Sequence, residues 1–104
     1  MAVSKDYIDY ILEQLHGLGG VTAVPILEGH GFFFDNKLFA IIAKDRFRMK
    51  MDETNLFLYK DAGLVAPPVL ESTEDSGFFQ VPDSIINTPL VFEKWCQTAI
   101  DIAS

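Results

Sequence analysis

The sequence predicts an α+β domain of two layers: an antiparallel sheet of about five strands with helices packed on one face. Three observations predict it. Apolar residues near the amino terminus recur at helical spacing, two consecutive hairpins run from Gly29 to Lys50, and helical spacing returns from Phe92 to Ile102.

Ser4 is a suitable N-cap, and Tyr7, Ile8, Ile11, Leu12 and Leu15 then share one helical face. Asp6, Asp9, Glu13 and Gln14 take the opposite face, and the helix is expected to stop at Gly17. Val21 to Leu27 reads as a strand, placed at an edge or a bulge by Pro25, which lacks a ladder donor. Phe32 to Phe34, Lys37 to Ala43 and Arg46 to Met51 are strands separated by the two-residue turns Asp35-Asn36 and Lys44-Asp45. Leu38 to Ala43 is apolar at every position. Either both sheet faces are covered, which suggests self-association, or Ala40 and Ala43 are small residues on a half-exposed face.

Asp52 is expected to cap a second helix, Glu53 to Ala62, closed by Gly63, with Leu56, Phe57 and Ala62 able to face the sheet. Two further strands, Leu64 to Leu70 and Gly77 to Val81, flank an acidic loop, and Pro67-Pro68 makes the first of them short or an edge. Pro82-Asp83 opens a helical turn to Ile86. Thr88-Pro89 starts the last helix, which buries Phe92, Trp95, Cys96, Ala99 and Ile102.

At 104 residues the chain is read as one domain spanning 1–104, with 49% hydrophobic residues to build a single core. Cys96 is the only cysteine, so an internal disulfide and a multi-cysteine metal site are both excluded. The start, Met1 to Asp6, shows neither the basic end nor the apolar run of a secretory signal. No stretch approaches the roughly 20 apolar residues that span a bilayer, and a soluble, cytoplasmic protein is expected. A net charge of −7 opposes phosphate backbones and anionic membranes, so neither direct nucleic-acid binding nor membrane binding is expected.

No catalytic motif is present. Glu28 and His30, in the run Glu28-Gly29-His30-Gly31, are the one place where a carboxylate and an imidazole lie close in sequence. The glycines there admit either a ligand or merely a tight bend. With no second histidine or cysteine cluster nearby, no metal and no cofactor is implied. His16 suits the negative end of the first helix, and Cys96, among Phe92, Trp95 and Ile100, suits a buried thiol. Arg46, Arg48 and Lys50 alternate with Phe47, Met49 and Met51. The cations therefore form a stripe on one strand face with the apolar residues on the other, and that separation disfavours an RNA-reading sheet and suits contact with acidic protein loops.

Gly19-Gly20-Val21-Thr22-Ala23, Gly29-His30-Gly31-Phe32, Leu38 to Ala43, Arg46 to Glu53, Phe79 to Asp83 and Trp95 together resemble the TfoX amino-terminal domain family over nearly the whole chain. The resemblance implies a regulator of natural competence, of a kind thought to act with the cyclic-AMP receptor protein at promoters. The chain is read as that amino-terminal domain in stand-alone form. Relatives commonly carry a basic pair followed by Met-Phe-Gly-Gly before the second strand, where this chain has Val24-Pro25-Ile26-Leu27-Glu28-Gly29. Two cations and one glycine are gone, and an acid has appeared.

The expectation is therefore a non-enzymatic protein-interaction module acting through a protein partner, with a homodimer as one form of it and Arg46, Arg48 and Lys50 as its contact surface. The alternative is a small-molecule-binding or catalytic domain built on Glu28 and His30.

Overall fold

A computed structural model describes residues 5–26, 29–43, 46–63 and 77–103. The elements run α1 (Lys5–Gln14), β1 (Val21–Ile26), β2 (Gly29–Phe34), β3 (Lys37–Ala43), β4 (Arg46–Lys50), α2 (Phe57–Asp61), β5 (Phe78–Gln80), α3 (Asp83–Ile86) and α4 (Pro89–Ala103). The five strands form one antiparallel sheet in chain order, β1-β2-β3-β4-β5. Asp35 and Asn36 both take positive φ, 54° and 67°, the backbone of a tight two-residue hairpin turn that aspartate and asparagine tolerate well. The predicted turn at Lys44-Asp45 and the predicted strand Leu64 to Leu70 lie outside the described residues.

One irregularity sets which side chains face the core. Phe32 pairs with Ala40 but Phe33 pairs with Leu38, so Phe39 is an extra residue on β3, a bulge. Phe39 and Ala40 consequently turn to the same side, and both are fully buried with Ile42, while Leu38, Ile41 and Ala43 are half-buried on the other face. This corrects the expectation for Ala40, which is a core residue and not part of a half-exposed face.

The helices lie on the face that carries Phe32, Ala40, Ile42 and Phe47. Phe47 meets Phe92 of α4 edge-on at 5.1 Å between ring centres, and Phe32 meets Phe47 at 5.4 Å. Such pairs add to the ~1.5–3 kcal/mol gained by burying each side chain. Ile8, Ile11 and Leu15 of α1 complete the layer. α1 is pinned to the end of α3 by Gln14, whose amide donates to the Ile86 carbonyl at 2.8 Å, and by the Tyr10 hydroxyl, which donates to Asn87.

Two helix boundaries differ from expectation. α1 stops at Gln14 and a single 3-10 turn, His16–Leu18, follows; the left-handed residue is Gly19, φ 70°, and not Gly17. Residues 53–56 form turns and α2 begins only at Phe57, because the Asp52 carboxylate and the Asn55 amide hold the backbone in a tight loop. That delay rotates α2, so Tyr59 is buried while Phe57 and Ala62 are exposed. On α4, Ile100 is buried and Ile102 only half-buried. The Thr88 hydroxyl donates back to the Ser84 carbonyl at 2.9 Å, tying α4 to α3. No helix among the described residues is long and apolar enough to cross a membrane.

Candidate functional site

The face of the sheet turned away from the helices gathers most of the features that the sequence singled out. On β1 it shows Thr22, Val24 and Ile26, the last two 45% and 40% exposed. On β2 it shows Gly31 and Phe33, on β3 Leu38, Ile41 and Ala43, and on β4 the predicted cations. Gly31 is buried beneath its neighbours: a Cβ there would stand 2.9 Å from Leu38, 3.2 Å from Phe33 and 3.3 Å from Ile26. Those three side chains therefore close over the glycine into one apolar surface, which any larger residue at position 31 would lift apart.

The three cations do not behave alike. Arg48 stands between Ile41 of β3 and Gln80 of β5, half-buried and engaged by contacts of its own. Lys50 faces Phe78 and holds its ammonium 5.3 Å from that ring, a cation–π placement that fixes the charge over an apolar support. Arg46 is exposed at the start of β4, and its positive charge also reaches the Tyr7 hydroxyl on α1. Burial and the nearby Asp83 carboxylate raise the Tyr7 pKa, and Arg46 partly offsets them. The stripe is thus anchored at Arg48 and Lys50 and open at Arg46.

Glu28 lies outside the described residues. His30 sits on the helix-covered face of β2, between Pro25 of β1 and Ile42 of β3, with Nδ1 buried and making no hydrogen bond. No described carboxylate meets that nitrogen. A cleft of about 410 Å³ opens elsewhere, lined by Asp52, Thr54, Asn55, Thr98, Asp101 and Ile102, and it does not include His30. Its polar groups are largely occupied: Asp52 accepts from the backbone and hydroxyl of Thr54, and Asp101 accepts from Gln97 at 3.2 Å. The Thr54 hydrogen bonds lower the Asp52 pKa; Asp52 closes this loop and does not cap α2, contrary to expectation. Among the described residues no group of three or more potential ligands could hold a metal ion. His16 is exposed, and Cys96 is fully buried.

Sequence reasoning missed the outer-face apolar surface around Gly31.

The TfoX N-terminal domain family matches residues 13–103, most of the chain. No curated protein matches it.

Proposed function

Because the chain belongs to the TfoX N-terminal domain family, which is associated with competence regulation, we propose that it is a non-enzymatic module that works in regulation through contact with another protein. The observation that supports this reading most is the outer sheet face, where Val24, Ile26, Leu38 and Ile41 stand beside Arg46 and Lys50 with no described helix over them. Apolar surface beside fixed charge is the usual composition of a protein contact. A cytoplasmic setting belongs to the same proposal.

The test is a photo-crosslinking amino acid placed at Thr22, an exposed outer-face position of β1, in the cell of origin. One protein cross-linked in stoichiometric yield supports the reading. A small molecule released from the purified native protein on denaturation, retained by the parent and lost in His30→Ala, would overturn it in favour of a ligand-binding domain.

A further inference from the structure

Building on the reading of the domain as a protein-contact module, we propose that the outer sheet face seats an amphipathic α-helix of another protein, one that carries acidic residues along one flank of its apolar stripe. The apolar part of the face crosses three adjacent strands, from Val24 and Ile26 on β1, over Phe33 on β2, to Leu38 and Ile41 on β3. Strands about 4.8 Å apart make that strip about 10 Å wide, close to the ~10–12 Å diameter of a helix with its side chains. An apolar sheet face is covered by helices or by a second sheet, and the opposite face of this sheet is covered by helices, α1 and α4.

Charge selects the flank. The chain has 8 cationic and 15 acidic side chains, yet on β4 Arg46 and Lys50 flank Arg48, the partner of Ile41 at the edge of the strip, the first exposed and the second held over Phe78. Acidic residues along that edge would find complementary charge, and the acidic character of the remaining surface would repel them from other docking positions. A second copy of this chain does not fit the same seat. Its amphipathic helices bury their apolar faces internally, through Ile8, Ile11 and Leu15 on α1 and Phe92, Trp95 and Ala99 on α4. Two copies stacked face to face would also set the cations of one against either the cations or Val24 and Ile26 of the other, which desolvates charge without pairing it.

The experiment titrates the whole chain against fluorescein-labelled, helix-capped 18-residue peptides in fluorescence anisotropy at 50 and 200 mM salt. The first peptide has a Leu/Phe stripe flanked by Glu, the second the same stripe flanked by Lys, and the third the Glu flank with the stripe replaced by Ser. Saturable binding of the first peptide is expected, at least tenfold tighter than either of the others and weakened by salt. Arg46→Glu with Lys50→Glu should reverse the order of the first two, and Val24→Lys, at an exposed site, should weaken both; circular dichroism establishes that each variant is folded. Equal binding of both flanks, an order unchanged by charge reversal, or duplex DNA competing as well as the Glu peptide would overturn the proposal. So would sedimentation as a dimer that Val24→Lys disperses. If Thr22 still cross-links one cellular protein in the charge-reversed variant and no flank preference exists, the helix proposal fails while the protein-contact reading stands.

Discussion

The Asn55 side-chain amide donates to the Thr98 hydroxyl at 3.1 Å, and this contact joins the loop before α2 to the middle of α4. The same amide nitrogen lies 3.3 Å from the Lys50 carbonyl at the end of β4, and the Asn55 side-chain oxygen accepts from the Asp52 backbone at 2.8 Å. Thr98 passes its own hydroxyl proton to the Trp95 carbonyl at 2.6 Å. Asn55 is only 1% exposed, so its side-chain amide is satisfied by these protein groups. Asn55→Ala strands the Asp52 amide and the Lys50 carbonyl, and should cost about 1–3 kcal/mol. Urea denaturation measures it; a loss under 0.5 kcal/mol would mean that water replaces the network.

Ala40 and Ala43, three positions apart on the regular part of β3, face opposite sides of the sheet. Ala40 is fully enclosed against Phe32 and Met49, whereas Ala43 is half-buried on the outer face. Ala40→Glu buries an unpaired carboxylate and should leave the chain unfolded or molten. Ala43→Glu should remain folded with a small loss of thermal stability. Similar melting temperatures for the two variants would contradict the register.

Much of this architecture was legible in the residues, for physical reasons that also mark where legibility stopped. The turn at Asp35-Asn36 is specified by side chains that tolerate positive φ, and the alternation of Phe47, Met49 and Met51 with the cations is a direct readout of strand geometry. α4 announces itself through Phe92, Trp95, Cys96 and Ala99. What could not be read is whatever depended on pairing between distant segments. The tie between Asn55 and Thr98, 43 positions apart, is of this kind, whereas the out-of-phase Phe39 within the β2–β3 hairpin and the delay of α2 by Asp52 and Asn55 are local but marked by no residue type. For the contact surface, the sequence supplied the cations, but the apolar strip beside them required knowing that Ile26, Phe33 and Leu38 converge over Gly31.

Tyr59 should make stability fall at alkaline pH. Burial pushes its phenol up to about 12, with the hydroxyl donating to the Gln80 carbonyl at 2.5 Å. In the unfolded chain it ionises near pH 10, so between about 10 and 12 the folded state holds a proton that the unfolded state has released. The stabilising contribution is complete below pH ~10 and is lost as pH rises through 12. Tyr59→Phe should flatten this alkaline decline in urea midpoints between pH 9 and 11. An unchanged slope would place the titration elsewhere.

Cys96 should be inert while the chain is folded. Its side chain is fully enclosed by the core, and burial, reinforced by the Glu93 carboxylate, raises its thiol pKa well above the ordinary value. Reaction with a disulfide reagent at pH 8 should therefore follow unfolding, slow in buffer and complete within seconds in denaturant. Raising the pH toward 9 should accelerate only the denatured sample. Rapid labelling of the native chain would show that α4 opens locally.

Duplex DNA should not bind this domain appreciably at physiological salt. Binding would require cations to replace the counterions condensed on phosphate, and each such contact is worth less as salt rises. Among the described cations, Lys5 is already 3.2 Å from Asp9, Lys50 is drawn over Phe78, and Arg48 is engaged within its own sheet. Arg46, Lys60 and Lys94 are exposed, but they stand on a chain of net charge −7, whose field repels a polyanion before any local contact forms. Fluorescence anisotropy with a labelled 30-base-pair duplex should stay flat to tens of micromolar protein at 150 mM salt. Raising the charge by Asp6→Lys and Asp9→Lys on the exposed face of α1 should yield at most weak, salt-labile binding without sequence preference. Sub-micromolar binding by the unmodified chain would overturn this, since Lys44 is the one cation outside the described residues.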